Sequence, residues 1–125
     1  MDRHNKHILV VDDDIDLALT YQELLQAHDY QASTAADGRE ALKMLKSTKV
    51  DAILCDLDMP ELAGDLFYRE VGLGQPQLLK RLIFISANTE NPLYETFLAK
   101  LRTPVLAKPV TMDRVLETLE SVLAN

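Results

Sequence analysis

Short apolar runs alternate along the chain with longer segments in which apolar residues recur every three or four positions. The clearest runs lie at 8–11, 52–55 and 82–85, and unbroken runs of this length are typical of strands buried on both faces of a parallel sheet. Segments 30–35 and 105–107 complete a set of five predicted strands. Segment 30–35 is the most polar of the five, which favours a place near the sheet edge.

Segments with helical spacing follow the strands. The last is the clearest, because its apolar residues recur at i, i+3, i+4, i+7, i+10 and i+11 from Met112. Asp37 and Glu40 have capping-box spacing at the start of the second helix. Asn91 and Pro92 are a good N-cap and first residue for the fourth. The predicted apolar faces are Ile15, Ala18, Leu19 and Leu25; Ala41, Leu42 and Leu45; Tyr94, Phe97, Leu98 and Leu101; and Met112, Val115, Leu116, Leu119, Val122 and Leu123.

Strands and helices alternate through the whole chain, and this alternation predicts the fold class. A third helix is expected from Gly64 to about Val71, where a loop containing Gly72, Gly74 and Pro76 ends it. Strand-helix alternation requires right-handed crossovers and a parallel sheet covered by helices on both faces. The predicted fold is therefore α/β, a doubly wound parallel sheet of five strands with five helices.

Length, composition and charge narrow the class of protein. The 125 residues, 47% hydrophobic and 26% charged, suit one domain over 1–125 with a flexible, polar N-terminal tail at 1–6. A net charge of -7 with scattered basic residues argues against direct binding to nucleic acid. The only cysteine, Cys55, excludes an internal disulfide and fits a reducing compartment. No apolar run is long enough for membrane insertion or a signal peptide, so we expect a cytoplasmic protein.

Polar residues with complementary chemistry follow four of the predicted strands. The first strand ends in Asp12, Asp13 and Asp14, and the third, fourth and fifth end in Asp56, Ser86 and Lys108. The carboxyl ends of parallel strands share one edge of the sheet, and the first and third strands flank the point where strand order reverses. A lone strand-end aspartate is more often a loop cap. The combination of these strand-end residues indicates a functional site far more specifically than any one of them does.

Several carboxylates in one crevice repel one another, and a divalent cation removes that conflict. A site made only of oxygen ligands suits Mg²⁺. We predict Asp13 and Asp56 as direct metal ligands and Asp12 as a direct or water-mediated one. The backbone carbonyl of Asp58 completes the set of ligands that the protein supplies. Asp14 is better placed to cap the first helix.

Asp56 is also the candidate nucleophile, because a carboxylate beside a metal can attack phosphorus and form an acyl phosphate. Lys108 can offset the developing negative charge and Ser86 can donate a hydroxyl hydrogen bond. Ala87 keeps the approach to the site open. Pro109 permits a cis peptide bond after Lys108, which we expect to direct the lysine into the site.

These residues resemble the receiver domain of two-component response regulators. The resemblance rests on Asp12-Asp13, on Asp56 within Asp-Leu-Asp-Met-Pro, on Gly64, on Ser86-Ala87 and on Lys108-Pro109, and it covers essentially all of 7–124. It implies a flavodoxin-like fold with strand order 2-1-3-4-5 and Mg²⁺-dependent phosphorylation of Asp56. The implied donor is a phosphohistidine on a sensor histidine kinase or a phosphotransfer protein. A change in partner contacts on the face formed by the fourth strand, fourth helix and fifth strand is implied as well.

Some features depart from the family pattern or leave alternatives open. Val105 stands where such domains often carry an aromatic residue, which leaves a degenerate receiver acting only as a protein-binding module as one alternative. Asp58 lies at a position that tunes the lifetime of the phosphoryl group. The stretch 77–109 resembles receivers attached to hybrid sensor kinases, so an excised domain is a further expectation. Asp56-Leu-Asp58 also resembles the nucleophile motif of haloacid-dehalogenase-type phosphohydrolases, although those enzymes place it on their first strand.

Overall fold

The computed structural model describes residues 6–59, 64–87, 99, 101 and 103–124. Within these ranges five strands and four α-helices follow one another, with a 3₁₀ helix before the fourth strand. The strands are β1 (His7–Val11), β2 (Gln31–Ala35), β3 (Ala52–Asp56), β4 (Leu82–Ser86) and β5 (Val105–Ala107). The α-helices are α1 (Ile15–Ala27), α2 (Gly38–Ser47), α3 (Gly64–Gly74) and α4 (Met112–Leu123), and the 3₁₀ helix is Pro76–Arg81.

The five strands form one parallel sheet in the order β2-β1-β3-β4-β5. The predicted doubly wound fold and its strand order are therefore confirmed. Register brings the carboxyl ends together, because Val11 pairs with Cys55, Asp56 with Ile85 and Ser86 with Ala107. Strand β1 lies between β2 and β3, where the strand order reverses, which is where doubly wound sheets place their ligands.

Side chains of the central strands alternate between two hydrophobic cores, one on each face of the sheet. On one face Ile53 and Phe84 pack with residues of α2 and α3. On the other face Leu54 and Ile83 pack with residues of α1 and α4. Because β1, β3 and β4 are buried on both sides, their apolar runs have no polar alternation, as the sequence pattern indicated.

Helix starts follow the capping residues that the sequence identified. Asp14 caps α1 by accepting a hydrogen bond from the Leu17 amide at 3.1 Å, and Asp37 caps α2 by accepting one from the Glu40 amide at 2.7 Å. The predicted fourth helix, with Asn91, Pro92, Tyr94, Phe97 and Leu98, lies outside the described residues. Helix α4 corresponds to the fifth helix of the sequence-based prediction.

The predicted apolar face of α1 is partly wrong. Ala18 and Leu25 are buried, but Ile15 is 67% exposed and Leu19 is 45% exposed. Each helical residue advances about 100° around the axis, so Leu19 points well away from the direction of Ala18. Apolar spacing alone does not say which of two adjacent stripes faces the sheet, and here the stripe through Ala18, Tyr21 and Leu25 packs against it.

Two further boundaries differ from the sequence-based expectation. Helix α3 continues past Val71 to Gly74, and the expected loop is a 3₁₀ helix from Pro76 to Arg81 that buries Leu78. Burial of Val71 and Leu78 in one core outweighs the low helix propensity of the glycines. At the other end of the chain, Lys6 was expected to belong to the flexible tail, but its carbonyl accepts a hydrogen bond from the Gln31 amide at 2.9 Å.

Candidate functional site

The carboxyl edge of the sheet brings the acidic strand ends together. Asp12 follows β1, where its amide donates to the Ala35 carbonyl at 3.0 Å and its Oδ1 accepts from the Asp14 amide at 2.9 Å. Asp56 is the last residue of the central strand β3. One carboxylate oxygen from each of Asp12, Asp13 and Asp56 lies within 4.8 Å of the others. The cluster predicted from the strand ends is therefore present.

The electrostatics of this cluster favour a bound cation. Asp12 is only 4% exposed, and its pKa is raised from 3.8 to about 6. Burial is the largest cause, and the negative charges of Asp56 and Asp13 add to it against the opposing influence of the Asp14 amide and Lys108. Three converging carboxylates, one of them buried, are a donor set of the kind that Mg²⁺ binds. The residues present fit that ion.

Lys108 supplies a positive charge on the β5 side of Asp56. Its Nζ lies 3.2 Å from both carboxylate oxygens of Asp56 and 3.2 Å from Oδ2 of Asp58. Burial alone would lower the pKa of Lys108, but the hydrogen bonds and charges of Asp56 and Asp58 outweigh it and hold that pKa above its ordinary value. The Lys108-Pro109 peptide bond is cis, as expected from the sequence.

Ser86, the last residue of β4, and Ala87, which follows it, both donate hydrogen bonds to Asp58. The Ser86 hydroxyl donates to Oδ1 of Asp58 at 2.6 Å, and the Ala87 amide donates to Oδ2 at 2.7 Å. The Asp58 amide in turn donates to Oδ1 of Asp56 at 2.8 Å. From the sequence, Asp58 was expected to supply a backbone carbonyl to the metal and to tune the lifetime of the phosphoryl group, but the bonds of its carboxylate to Ser86 and Ala87 were not predicted.

Tyr21 was also missed by the sequence analysis. It lines the same small pocket as Asp12, Asp56 and Lys108, and it reaches that position from α1. Burial, followed by the charge of Asp12, raises the pKa of the Tyr21 phenol. The sequence could have indicated Tyr21 through its position in α1, because it lies one turn from Ala18 on the buried stripe of that helix.

Cys55 takes no part in the site, although it precedes Asp56. Its side chain points into the core beneath the sheet and is fully buried. Burial raises the pKa of the Cys55 thiol well above its ordinary value. The thiolate needed for redox chemistry is therefore disfavoured, which supports the interpretation of Cys55 as a core residue.

Comparison with known proteins agrees with this geometry. A family model described as the response regulator receiver domain matches residues 8–120. The chain belongs to the response regulator receiver family. Membership in this family decides against the haloacid-dehalogenase alternative and makes the receiver a phosphoacceptor module rather than a conventional enzyme. The two-component assignment made from the strand-end residues is thus confirmed at the level of the family.

Individual relatives of this receiver include regulators of known name. The transcriptional regulatory protein ZraR of Escherichia coli is 34% identical over 128 residues, which cover 100% of this chain and 28% of ZraR. Among solved structures, CheY4 of Vibrio cholerae is 31% identical with a TM-score of 0.80, covering 94% of this chain and 98% of that one. TrrA of Thermotoga maritima, solved in complex with Mg²⁺-BeF, is 27% identical with a TM-score of 0.77 and the same coverage.

These relatives differ in how much of their length the receiver matches. The chain spans less than a third of ZraR, whereas it spans nearly all of the two solved chains. They are a transcriptional regulator and receiver-length regulators, so the specific resemblance to receivers of hybrid sensor kinases finds no support in them. Within the described residues, no helix is both long and apolar enough to cross a membrane.

Proposed function

We propose that this receiver accepts a phosphoryl group on Asp56 from a phosphohistidine, as part of a cytoplasmic phosphorelay. The observation that carries the proposal is the setting of the Asp56 carboxylate. On one side lie the carboxylates of Asp12 and Asp13, and on the other the Lys108 ammonium lies 3.2 Å from both Asp56 oxygens. A nucleophilic carboxylate between a cation-binding cluster and a fixed positive charge is suited to phosphoryl transfer.

In the proposed step an Asp56 oxygen attacks phosphorus as the P–N bond of the phosphohistidine breaks. The ring of the phosphohistidine is protonated by solvent on its other nitrogen before transfer. The nitrogen that leaves keeps the bonding electron pair, so the donor histidine ends as neutral imidazole. Asp56 gains an acyl phosphate, and no oxidant or other co-reactant is needed. Mg²⁺, held by Asp13 and Asp56, by Asp12 directly or through water, and by the Asp58 carbonyl, would supply charge neutralisation for the transferring group.

The remaining residues have roles defined by their donors. We assign Lys108, the Ser86 hydroxyl and the Ala87 amide to the phosphoryl oxygens, since all three donors converge on Asp58, whose own amide is bonded to Asp56. Pro109 and Ala87 support the site by shaping the backbone on either side of it. Asp14 stays outside the chemistry as the cap of α1.

The donor proposed for this receiver is a sensor histidine kinase or a phosphotransfer protein. Its output is proposed to be altered contacts with another protein across the face that includes β4 and β5. Position 105, where many family members carry an aromatic residue, is a half-buried valine in β5, so the output is proposed to use a route without an aromatic switch. Excision from a hybrid kinase stays a prediction that the match to ZraR does not favour.

The experiment is intact-mass measurement after incubation with acetyl phosphate and Mg²⁺. One added phosphoryl group that requires Mg²⁺, is absent from Asp56→Asn and is released by hydroxylamine would support acceptance on Asp56. Asp37→Asn is the matched control, because it makes the same chemical change at a helix cap in α2. If no adduct forms, binding of beryllofluoride would still indicate a short-lived acceptor. Failure of both would favour the protein-binding module.

A further inference from the structure

The Asp58 carboxylate is bound by three donors of different kinds. Its Oδ1 accepts from the Ser86 hydroxyl at 2.6 Å, and its Oδ2 accepts from the Ala87 amide at 2.7 Å. The ammonium of Lys108 lies 3.2 Å from the same Oδ2. Hydroxyl, backbone amide and ammonium groups converging on one anion are what a bound phosphate group also requires.

These three donors are the ones that the proposed function assigns to the phosphoryl oxygens. Asp58 is joined to the acceptor as well, because its amide donates to Oδ1 of Asp56 at 2.8 Å. The carboxylate of Asp58 and a phosphoryl group on Asp56 would therefore compete for one anion-binding position. Two anions cannot share it without strong mutual repulsion.

We propose that the Asp58 side chain is an intramolecular substitute for the phosphoryl group. In the unmodified protein it occupies the anion position formed by Ser86, Ala87 and Lys108, and phosphorylation of Asp56 displaces it. This inference rests on the proposed function, since it concerns the same site. Asp58 itself undergoes no covalent change: its side chain, which is already 16% exposed, moves towards solvent.

Two consequences follow from the exchange of one anion for another. Ser86 is turned towards the site before any phosphoryl group arrives, because Asp58 already accepts its hydroxyl hydrogen. Binding of the phosphoryl group is also weakened, because Asp58 must first give up its charge-assisted hydrogen bonds. Asp58 thus sets both the position of Ser86 in the resting protein and the affinity of the site for the incoming group.

The resting contact is tested by the amide signal of Ala87 in ¹⁵N-labelled protein without metal. A strong hydrogen bond to a carboxylate moves an amide proton downfield, so Asp58→Ala should shift the Ala87 signal upfield. Asp16→Asn, an exposed acid in the first turn of α1, removes the same charge without touching these donors and should leave the signal in place. An Ala87 signal unmoved by Asp58→Ala would overturn the proposal.

Competition is tested by beryllofluoride affinity at saturating Mg²⁺, measured by calorimetry. Freeing the donors in Asp58→Ala should tighten binding about tenfold, the equivalent of roughly one charged hydrogen bond. Asp16→Asn should change it less than about twofold, a surface effect. Equal affinities for the wild type and Asp58→Ala would overturn the proposal. Absence of beryllofluoride binding by every variant, together with absence of an adduct from acetyl phosphate, would instead overturn phosphoacceptance, and this inference with it.

A double-mutant cycle separates competition for donors from simple charge repulsion. If Asp58 competes for the Ser86 hydroxyl, the gain from Asp58→Ala should shrink in a Ser86→Ala background, because one contested donor is gone. Repulsion alone would give the same gain in both backgrounds. Full additivity of the two substitutions would therefore refute the role of Asp58 as a phosphoryl substitute.

Discussion

Replacing the buried acid of the cluster should stabilise the protein when no metal is present. Asp12 is 4% exposed, and its pKa of about 6 in the folded protein compares with 3.8 for an ordinary exposed aspartate. Burying the ionised form is unfavourable, so Asp12→Asn removes a penalty. The amide oxygen of asparagine can still accept the hydrogen bond that the Asp14 amide donates to Oδ1 at 2.9 Å.

The magnitude follows from the two pKa values. A shift from 3.8 to about 6 corresponds to about 3 kcal/mol at pH 7.5, since each pKa unit is worth about 1.4 kcal/mol. The folded state binds the Asp12 proton more tightly than the unfolded state. The penalty is therefore fully present above pH 6, falls to about half at pH 5, and is absent below 3.8, where both states are protonated.

Urea unfolding in the presence of EDTA measures this effect. Asp12→Asn should raise the free energy of unfolding by about 2–3 kcal/mol at pH 7.5 and by about half as much at pH 5. Asp13→Asn is the control, because Asp13 is exposed and its charge remains hydrated; its effect should stay below about 1 kcal/mol. At saturating Mg²⁺ the wild type should instead be more stable than Asp12→Asn, because bound Mg²⁺ stabilises the protein that keeps all three carboxylates. A gain that is absent at pH 7.5, or undiminished at pH 5, would refute the reasoning.

Three further predictions concern other parts of the molecule. Lys108→Ala should slow phosphorylation by acetyl phosphate roughly 100-fold, since it removes the cation beside Asp56; intact mass against time measures it, and an unchanged rate would contradict the role given to Lys108. Cys55, at 0% exposure, should react with Ellman's reagent only as the protein unfolds in urea, and rapid labelling in buffer would contradict its burial. Asp51→Ala should lower the free energy of unfolding in urea by about 1–3 kcal/mol, because the His7 amide loses the carboxylate oxygen to which it donates at 2.8 Å. A loss below about 0.5 kcal/mol would contradict this and mean that water takes the place of the carboxylate.

Much of the site followed from the sequence because a parallel sheet turns strand order into spatial proximity. Asp12, Asp56 and Lys108 are far apart in the chain, but each follows a recognisable apolar run, so topology alone brings them to one edge. Caps at Asp14 and Asp37 were predictable for a related reason, since a cap acts within one helical turn.

What escaped prediction depended on the direction of individual side chains. An aspartate at position 58 could face the cluster, the solvent or the end of β4, and only the loop conformation turns its carboxylate towards Ser86 and Ala87. Helical phase had the same ambiguity in α1, where Ile15 and Leu19 belong to the neighbouring, exposed stripe. Such choices are made by tertiary packing, which short-range spacing does not encode.

The position of β5 in the sheet links it to chemistry at Asp56. Strand β5 is the shortest of the described strands, with three residues, and it pairs with β4 at the margin of the sheet. Lys108 follows it directly, so the bonds of that lysine to Asp56 and Asp58 tether the margin to the centre. Strand β3, held by neighbours on both sides, acts as the fixed anchor of this tether. We therefore expect a change of anion at Asp56 to change the contacts that hold β5 in place, and the amides of β5 should be the first to show it in hydrogen exchange.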